Sequence, residues 1–256
     1  MDTVNLEDPA TTFTSIGRQP RVWGFWTTAL WGLFIFAAMV VGQFAIVGYL
    51  AWQQDGPFDA GKLVQDVQSG AVLPLSVITG LPLVLAASWL AIRFTRISFT
   101  EYLALRGTSW KNLLIGVVGL VVVVLGWEMI SFVTGRESTP GFMTDVFKSA
   151  RDAGALWLLV LAFCVAAPVS EEVFARGFLY RGWSESFLRV PGAIFLSTLV
   201  WTAMHLQYNW YFFGEVFCIG LWLGYVRYRS GSLWVAILIH GLNNLAAVVQ
   251  SYYLTN

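Results

Sequence analysis

Residues 156–180, LWLLVLAFCVAAPVSEEVFARGFLY, have the length of a transmembrane helix but contain three charged side chains. A helix needs about 20 predominantly apolar residues to cross the hydrocarbon core of a bilayer, and this stretch provides them. Its second half nevertheless carries Glu171, Glu172 and Arg176. Because a charge at bilayer depth costs about 2.5–3.5 kcal/mol on insertion scales, charges found there need a partner or a function. The stretch therefore predicts a membrane-spanning helix that contributes to a site.

The composition of the whole chain agrees with a protein embedded in a membrane. Of its 256 residues, 57% are hydrophobic and 12% are charged. Soluble domains carry about 25% charged residues, so this chain has too few to cover a water-soluble surface. The 15 basic and 15 acidic residues cancel. This balance argues against a nucleic-acid partner, because nucleic-acid-binding proteins need a basic excess.

The apolar segments predict an all-α fold, a polytopic bundle of about seven transmembrane helices. We expect residues 1–22 to form a flexible cytoplasmic N-terminal tail. Residues 23–256 are predicted to form a single transmembrane domain whose catalytic helices lie within 150–250. The predicted spans cover residues 23–52, 71–92, 112–133, 156–180, 192–206, 209–227 and 232–253.

The distribution of Lys and Arg predicts how this bundle is oriented. Segments that connect the helices on the cytoplasmic side carry an excess of basic residues. With the N-terminus inside, ten of the counted basic residues fall in cytoplasmic segments and four fall outside. We therefore predict a multi-pass protein of a cell membrane, plasma or inner, with a cytoplasmic N-terminus and the lipid bilayer as its surroundings.

Polar residues recur at one depth in the last four predicted spans. Counted from the cytoplasmic ends at about 1.5 Å per residue, Glu171 and His240 lie about 15 Å deep. On the same rise, His205, Glu215 and Asn244 lie about 20 Å deep. Because independent structural accidents would scatter more widely, we interpret these residues as parts of one site near the middle of the membrane.

Helical spacing separates the two adjacent carboxylates. Glu172 and Arg176 stand four residues apart with the acid first, which favours an ion pair within the helix. Glu171 is rotated by about 100° from Glu172 and has no such partner on its own helix. His240 and Asn244 also stand four residues apart, so one helix face presents an imidazole and a carboxamide together.

Pro168 lies three residues before Glu171. Since proline lacks a backbone N–H, it should kink the helix and free the carbonyl of Cys164. We expect the kink to open space beside the carboxylates.

A shielded carboxylate near imidazoles and an amide suits hydrolysis of a carbonyl compound. The carboxylate can take a proton from an attacking water, and the His and Asn side chains can donate to the oxyanion. Metal-assisted hydrolysis is the alternative, with Zn²⁺ as the candidate cofactor. The side chains that would then ligate the metal are Glu171, Glu172, His205 and His240.

Three short segments together resemble the CAAX-protease and bacteriocin-processing family of intramembrane proteases, also called the CPBP or Abi family. EEVFAR at 171–176 is similar to the family's EExxxR motif, and HGLNN at 240–244 is similar to HxxxN. WTAMH at 201–205 stands where the family has FxxxH, with Trp201 in place of the usual Phe. The resemblance covers residues 150–250.

The resemblance implies a protease that cleaves a membrane-tethered protein or peptide within the membrane. It implies that Glu171 and His205 activate water and that His240 and Asn244 bind the oxyanion. Members of the family have been described both as glutamate-dependent enzymes and as metalloproteases. The residues that we expect to shape the site are Glu172, Arg176, Trp201 and Glu215.

Two other classes of function remain open from the sequence. A proton-coupled transporter would also place Glu and His at mid-membrane, but it would more often contain an inverted repeat. A non-catalytic membrane scaffold or immunity protein could share the same fold. Loss of Glu171 or of a histidine would indicate a scaffold, and all of these residues are present.

Overall fold

The computed structural model describes residues 21–67 and 69–255, and this part of the chain is all-helical, with ten helices and no strand. The predicted tail thus lies outside the described residues, except for Arg21 and Val22. The helices are α1 Phe25–Trp52, α2 Ala60–Val67, α3 Val72–Arg93, α4 Phe99–Tyr102, α5 Trp110–Thr134, α6 Gly141–Asp152, α7 Leu156–Ser184, α8 Arg189–Ala203, α9 Trp210–Ser230 and α10 Leu233–Thr255.

Five of these helices are long and apolar enough to cross a membrane, namely α1, α3, α5, α7 and α10. The all-α transmembrane bundle is therefore confirmed, but the prediction of seven spans is wrong by this measure. The segments predicted over 192–206 and 209–227 form helices that do not meet the requirements of a span.

The two remaining predicted segments fail to qualify as membrane spans for different physical reasons. Helix α8 has 15 residues. At about 1.5 Å per residue it is about 22 Å long, less than the hydrocarbon core of about 30 Å. Helix α9 has 21 residues and is long enough, but Glu215, Arg227 and Arg229 lower its apolar character. These two helices pack against each other and against the rest of the bundle.

Helix α7 is the centre of the bundle. Half of its apolar window is buried inside the protein, against 11–39% for the other four spans. It contacts α1, α3, α8, α9 and α10, and its buried side chains belong to the main hydrophobic core. The charged residues predicted in this helix are thus enclosed by protein on several sides.

Small residues let the helices approach closely. At the α1–α3 contact, a Cβ atom added to Gly42 would lie 2.8 Å from the Cα of Gly80. The hydroxyl of Thr79 donates to the carbonyl of Gly42 at 2.8 Å across the same contact. Gly220 and Gly224 of α9 lie in the same way against Thr198 and Ile194 of α8. These two glycines, four residues apart, let α8 approach α9 closely.

We expect Gly42→Ala to destabilise the protein by about 1–3 kcal/mol, because the new methyl group meets backbone atoms that cannot move aside. The matched control is Gly126→Ala on α5, where an added Cβ meets nothing within 4 Å. That control should be neutral or stabilising, since Ala is the better helix former by about 1 kcal/mol. Unfolding of the purified proteins in detergent measures both effects, and equal melting temperatures would contradict the close α1–α3 packing.

Candidate active site

The carboxylates of α7 lie in a short α-helical stretch, Ala167–Glu172, between two π-helical stretches. The π-helical residues are Ala162–Ala166 and Val173–Leu179. Such wider turns inside an α-helix commonly mark functional sites. Pro168 is the second residue of the α-helical stretch and cannot donate to a carbonyl of the preceding turns. We predicted a kink at Pro168, and the structure has π-helical turns before and after the stretch that contains it.

Helix α10 uses the backbone that becomes available there. The amide of Asn244 donates from Nδ2 to the carbonyl of Phe163 at 2.8 Å. One turn earlier, a Cβ atom added to Gly241 would lie 2.7 Å from the carbonyl oxygen of Cys164. Because Gly241 has no side chain, α10 can approach this carbonyl closely. The turns before Pro168 thus position the helix that carries His240 and Asn244.

Glu172 and Arg176 form the predicted ion pair, and both side chains are 0% exposed. Nη1 of Arg176 donates to Oε1 of Glu172 at 2.8 Å. The same carboxylate oxygen lies 2.9 Å from Nδ1 of His240. Since an ionised carboxylate only accepts, Nδ1 of His240 carries the proton in this contact. Glu172 therefore neutralises a buried arginine and orients a histidine of another helix.

Arg176 also binds α9 and α8. Its Nη2 donates to the carbonyl of Gly220 at 2.9 Å. Its guanidinium carbon lies 4.4 Å from the ring centre of Trp201, a cation–π contact. A side chain at Gly220 would press on both Trp201 and the guanidinium. The arginine therefore fits only because α9 offers a bare backbone at this position.

Glu171 has different surroundings from its neighbour. Its side chain is 19% exposed. The indole Nε1 of Trp201 donates to its Oε2 at 2.6 Å. The same oxygen lies 3.9 Å from Nε2 of His240. Glu171 is thus the carboxylate that a water or a substrate can reach, and His240 lies between the two carboxylates.

The structure corrects the predicted place of His205. We placed it inside a span over 192–206, but α8 ends at Ala203 and His205 lies in the connection to α9. The imidazole explains this end, because its Nδ1 donates to the carbonyl of Trp201 at 3.0 Å. That carbonyl, four residues back, is the one that the His205 backbone N–H would use in a continuing helix. The backbone N–H bonds Thr202 instead.

The ring of His205 nevertheless belongs to the site. It meets the ring of Trp201 edge-on, with ring centres 4.7 Å apart, and stacks on Tyr208 at 5.8 Å. Burial lowers the pKa of its imidazole, and the nearby carboxylate of Glu171 opposes that shift. Because Nδ1 is used by the backbone carbonyl, Nε2 is the nitrogen that can act on a water or a substrate.

Glu215 lies apart from the other predicted site residues. It is on α9 and interacts electrostatically with Glu128 of α5. Glu128 in turn accepts from the amide of Gln250 on α10 at 3.0 Å.

Three contributions to the site were missed by the sequence reasoning. Tyr208 stacks on His205 from the short connection between α8 and α9, and its position three residues after His205 was a usable signal. The other two are the backbone carbonyls of Phe163 and Gly220, which hold Asn244 and Arg176. Backbone groups leave no residue type to recognise in a sequence.

The arrangement does not form a metal site by geometry. Within residues 21–67 and 69–255, no group of three His, Cys, Asp or Glu side chains is placed so that it could hold a metal ion. Of the proposed zinc ligands, Glu172 is committed to Arg176 and to Nδ1 of His240. We therefore derive no step through a metal ion.

The helices and their polar centre define a multi-pass membrane protein with a carboxylate–imidazole site inside its bundle. Residues 153–246 match the family model described as Type II CAAX prenyl endopeptidase Rce1-like. This segment contains all three motifs, and the resemblance to the CPBP family of CAAX-type proteases is confirmed over it.

Two curated proteins are similar to part of the chain. The "Uncharacterized 24.3 kDa protein" of Escherichia coli is 30% identical over 139 residues, which are 52% of this chain and 59% of that protein. The "UPF0177 protein YbdI" of Lactococcus lactis subsp. lactis (strain IL1403) is 29% identical over 93 residues, 36% of this chain and 49% of that protein. The chain thus spans about half the length of the curated relatives it matches. No solved structure matches it.

We expect Glu172→Ala to lower the free energy of unfolding by about 3–5 kcal/mol, because it leaves the charge of Arg176 buried without its partner. The matched control is Glu185→Ala, which removes an ion pair of the same spacing with Arg181. That pair is 3.1 Å long and its side chains are 38% and 53% exposed. The control should cost less than about 1 kcal/mol. Denaturant titration in micelles compares the two, and similar losses would contradict the structural role of the buried pair.

Proposed function

We propose that this protein is an intramembrane endopeptidase that hydrolyses a peptide bond in a membrane-tethered protein or peptide. The observation that carries the proposal is the position of Glu171. Its carboxylate is partly exposed, is held by Trp201 and lies 3.9 Å from Nε2 of His240. The match of residues 153–246 to the CAAX prenyl endopeptidase family supports peptide hydrolysis as the reaction.

The first step is attack of a water on the peptide carbonyl. Glu171 accepts a proton from the water as the oxygen–carbon bond forms. His205 assists through Nε2, because its Nδ1 is bound to the carbonyl of Trp201. The carbonyl electrons move to the oxygen and produce a tetrahedral oxyanion.

His240 and Asn244 bind this oxyanion. Nδ1 of His240 donates to Glu172, so the ring must also be protonated at Nε2 to donate to the substrate. The amide of Asn244 is fixed by its bond to Phe163, which leaves its second N–H for the oxyanion. Donors fixed before the reaction stabilise the developing charge without reorganising.

The intermediate then collapses with cleavage of the carbon–nitrogen bond. Glu171 returns its proton to the leaving nitrogen, so the products are an amine and a carboxylic acid that keeps the second proton of the water. The enzyme regains its starting state. Glu172 and Arg176 keep their charges paired throughout and hold His240 in place. We place the N-terminus in the cytoplasm of a cell on the Lys and Arg distribution.

We expect Glu171→Gln to reduce cleavage by about 10²- to 10⁴-fold, the usual contribution of a general base. The assay is mass spectrometry of purified protein in detergent with membrane-tethered peptides, a prenylated C-terminal peptide among them. The matched control is Glu128→Gln, because Glu128 bonds Gln250 rather than a site residue. Full activity of Glu171→Gln would reject Glu171 as the base. Absence of cleavage by the unaltered protein on every peptide would favour the scaffold function.

We expect cleavage to be unchanged by a chelator, since the side chains present can complete the reaction without a metal ion. The measurement repeats the peptide assay after treatment with a chelator and after re-addition of Zn²⁺. Loss of activity that Zn²⁺ restores would contradict the glutamate mechanism. It would assign ligand roles to Glu171 and the two histidines.

A further inference from the structure

Trp201 contacts both the reachable carboxylate of Glu171 and the buried cation of Arg176. Its side chain is 2% exposed. The indole N–H donates to Oε2 of Glu171 at 2.6 Å. The face of the same ring lies under the guanidinium of Arg176, 4.4 Å from ring centre to Cζ. Its backbone carbonyl holds His205 at 3.0 Å.

The indole N–H distinguishes the two oxygens of Glu171. An indole nitrogen only donates, so this contact does not depend on pH or on a tautomer. His240 approaches the same oxygen through Nε2. Both neighbours therefore contact Oε2, which leaves Oε1 to accept the proton of an attacking water.

The contact with Arg176 strengthens the same hydrogen bond. A cation over an aromatic face withdraws electron density from the ring, and linked interactions polarise one another in a medium of low dielectric constant. The indole N–H becomes a better donor to Glu171 as a result. The charge of Arg176 thus acts on Glu171 through the ring of Trp201, while Glu172 keeps the direct ion pair.

We propose that Trp201 is a positioning residue that fixes Oε2 of Glu171 through its indole N–H, so that Oε1 serves as the base. This inference rests on the proposed function, in which Glu171 activates water. The role belongs to the indole N–H group, because an aromatic ring without this donor cannot hydrogen-bond to Oε2 of Glu171. The Phe of the FxxxH motif has an aromatic ring without the donor, so Trp201→Phe removes the donor and keeps an aromatic side chain.

The first experiment compares Trp201→Phe with the unaltered protein in the peptide assay. We expect kcat to fall by about 10- to 100-fold, the loss that follows removal of a hydrogen bond to a charged group, with little change in KM. The matched control is Trp222→Phe, which removes an indole that donates to the carbonyl of Gly116 at 2.9 Å. Both variants should lose similar thermal stability, but only Trp201→Phe should lose kcat.

The second experiment replaces Trp201 with 3-benzothienylalanine, in which sulfur takes the place of the N–H and the shape is kept. A fall in kcat equal to that of Trp201→Phe supports the inference and excludes a cavity as its cause. Wild-type kcat in this variant would overturn the inference, and so would a change in KM alone, which indicates a pocket wall. If Glu171→Gln stays active, the proposed function fails; if only the Trp201 variants stay active, this inference alone fails.

Discussion

The buried pair of Glu172 and Arg176 is the interaction on which the other polar contacts depend. Two charges enclosed in a hydrocarbon environment require close partners, because little water can solvate them. Arg176 finds the remainder of its partners on α9 and α8, through Gly220 and Trp201. Glu172 finds its second partner on α10, through His240. An ion pair formed within α7 thereby fixes the positions of three other helices, α8, α9 and α10, around it.

Adjacent carboxylates acquire different roles because a helix turns by about 100° per residue. Glu172 points into the bundle, where it is fully buried, while Glu171 is 19% exposed. The same chemical group therefore serves structure at one position and is available for chemistry at the next. His240 contacts both carboxylates, because its Nε2 lies near Glu171 and its Nδ1 lies near Glu172. This link lets the structural pair hold the orientation of a residue in the reactive region.

Local properties of the sequence predicted much of this arrangement, and long-range contacts were beyond it. Apolar runs identified the five long helices, and a spacing of four residues identified the Glu172–Arg176 pair. Hydropathy also counted α8 as a span, because it does not register that the His205 side chain takes the carbonyl that would continue the helix. The bond between Trp201 and Glu171 joins residues 30 positions apart on different helices, and no periodicity encodes it.

The π-helical turns of α7 place an unusual restriction on how this chain can change in evolution. Each such turn holds more residues than an α-helical turn, so loss of a residue there restores the ordinary helix. Loss of a residue from the α-helical stretch Ala167–Glu172 would instead rotate everything beyond the deletion by about 100° relative to what precedes it. Phe163 and Arg176 lie in the two π-helical stretches and contact different neighbours, α10 and α9. A change of length within Ala167–Glu172 would therefore break one of these two contacts, whereas a π-helical turn can lose one residue and keep both ends of α7 in register.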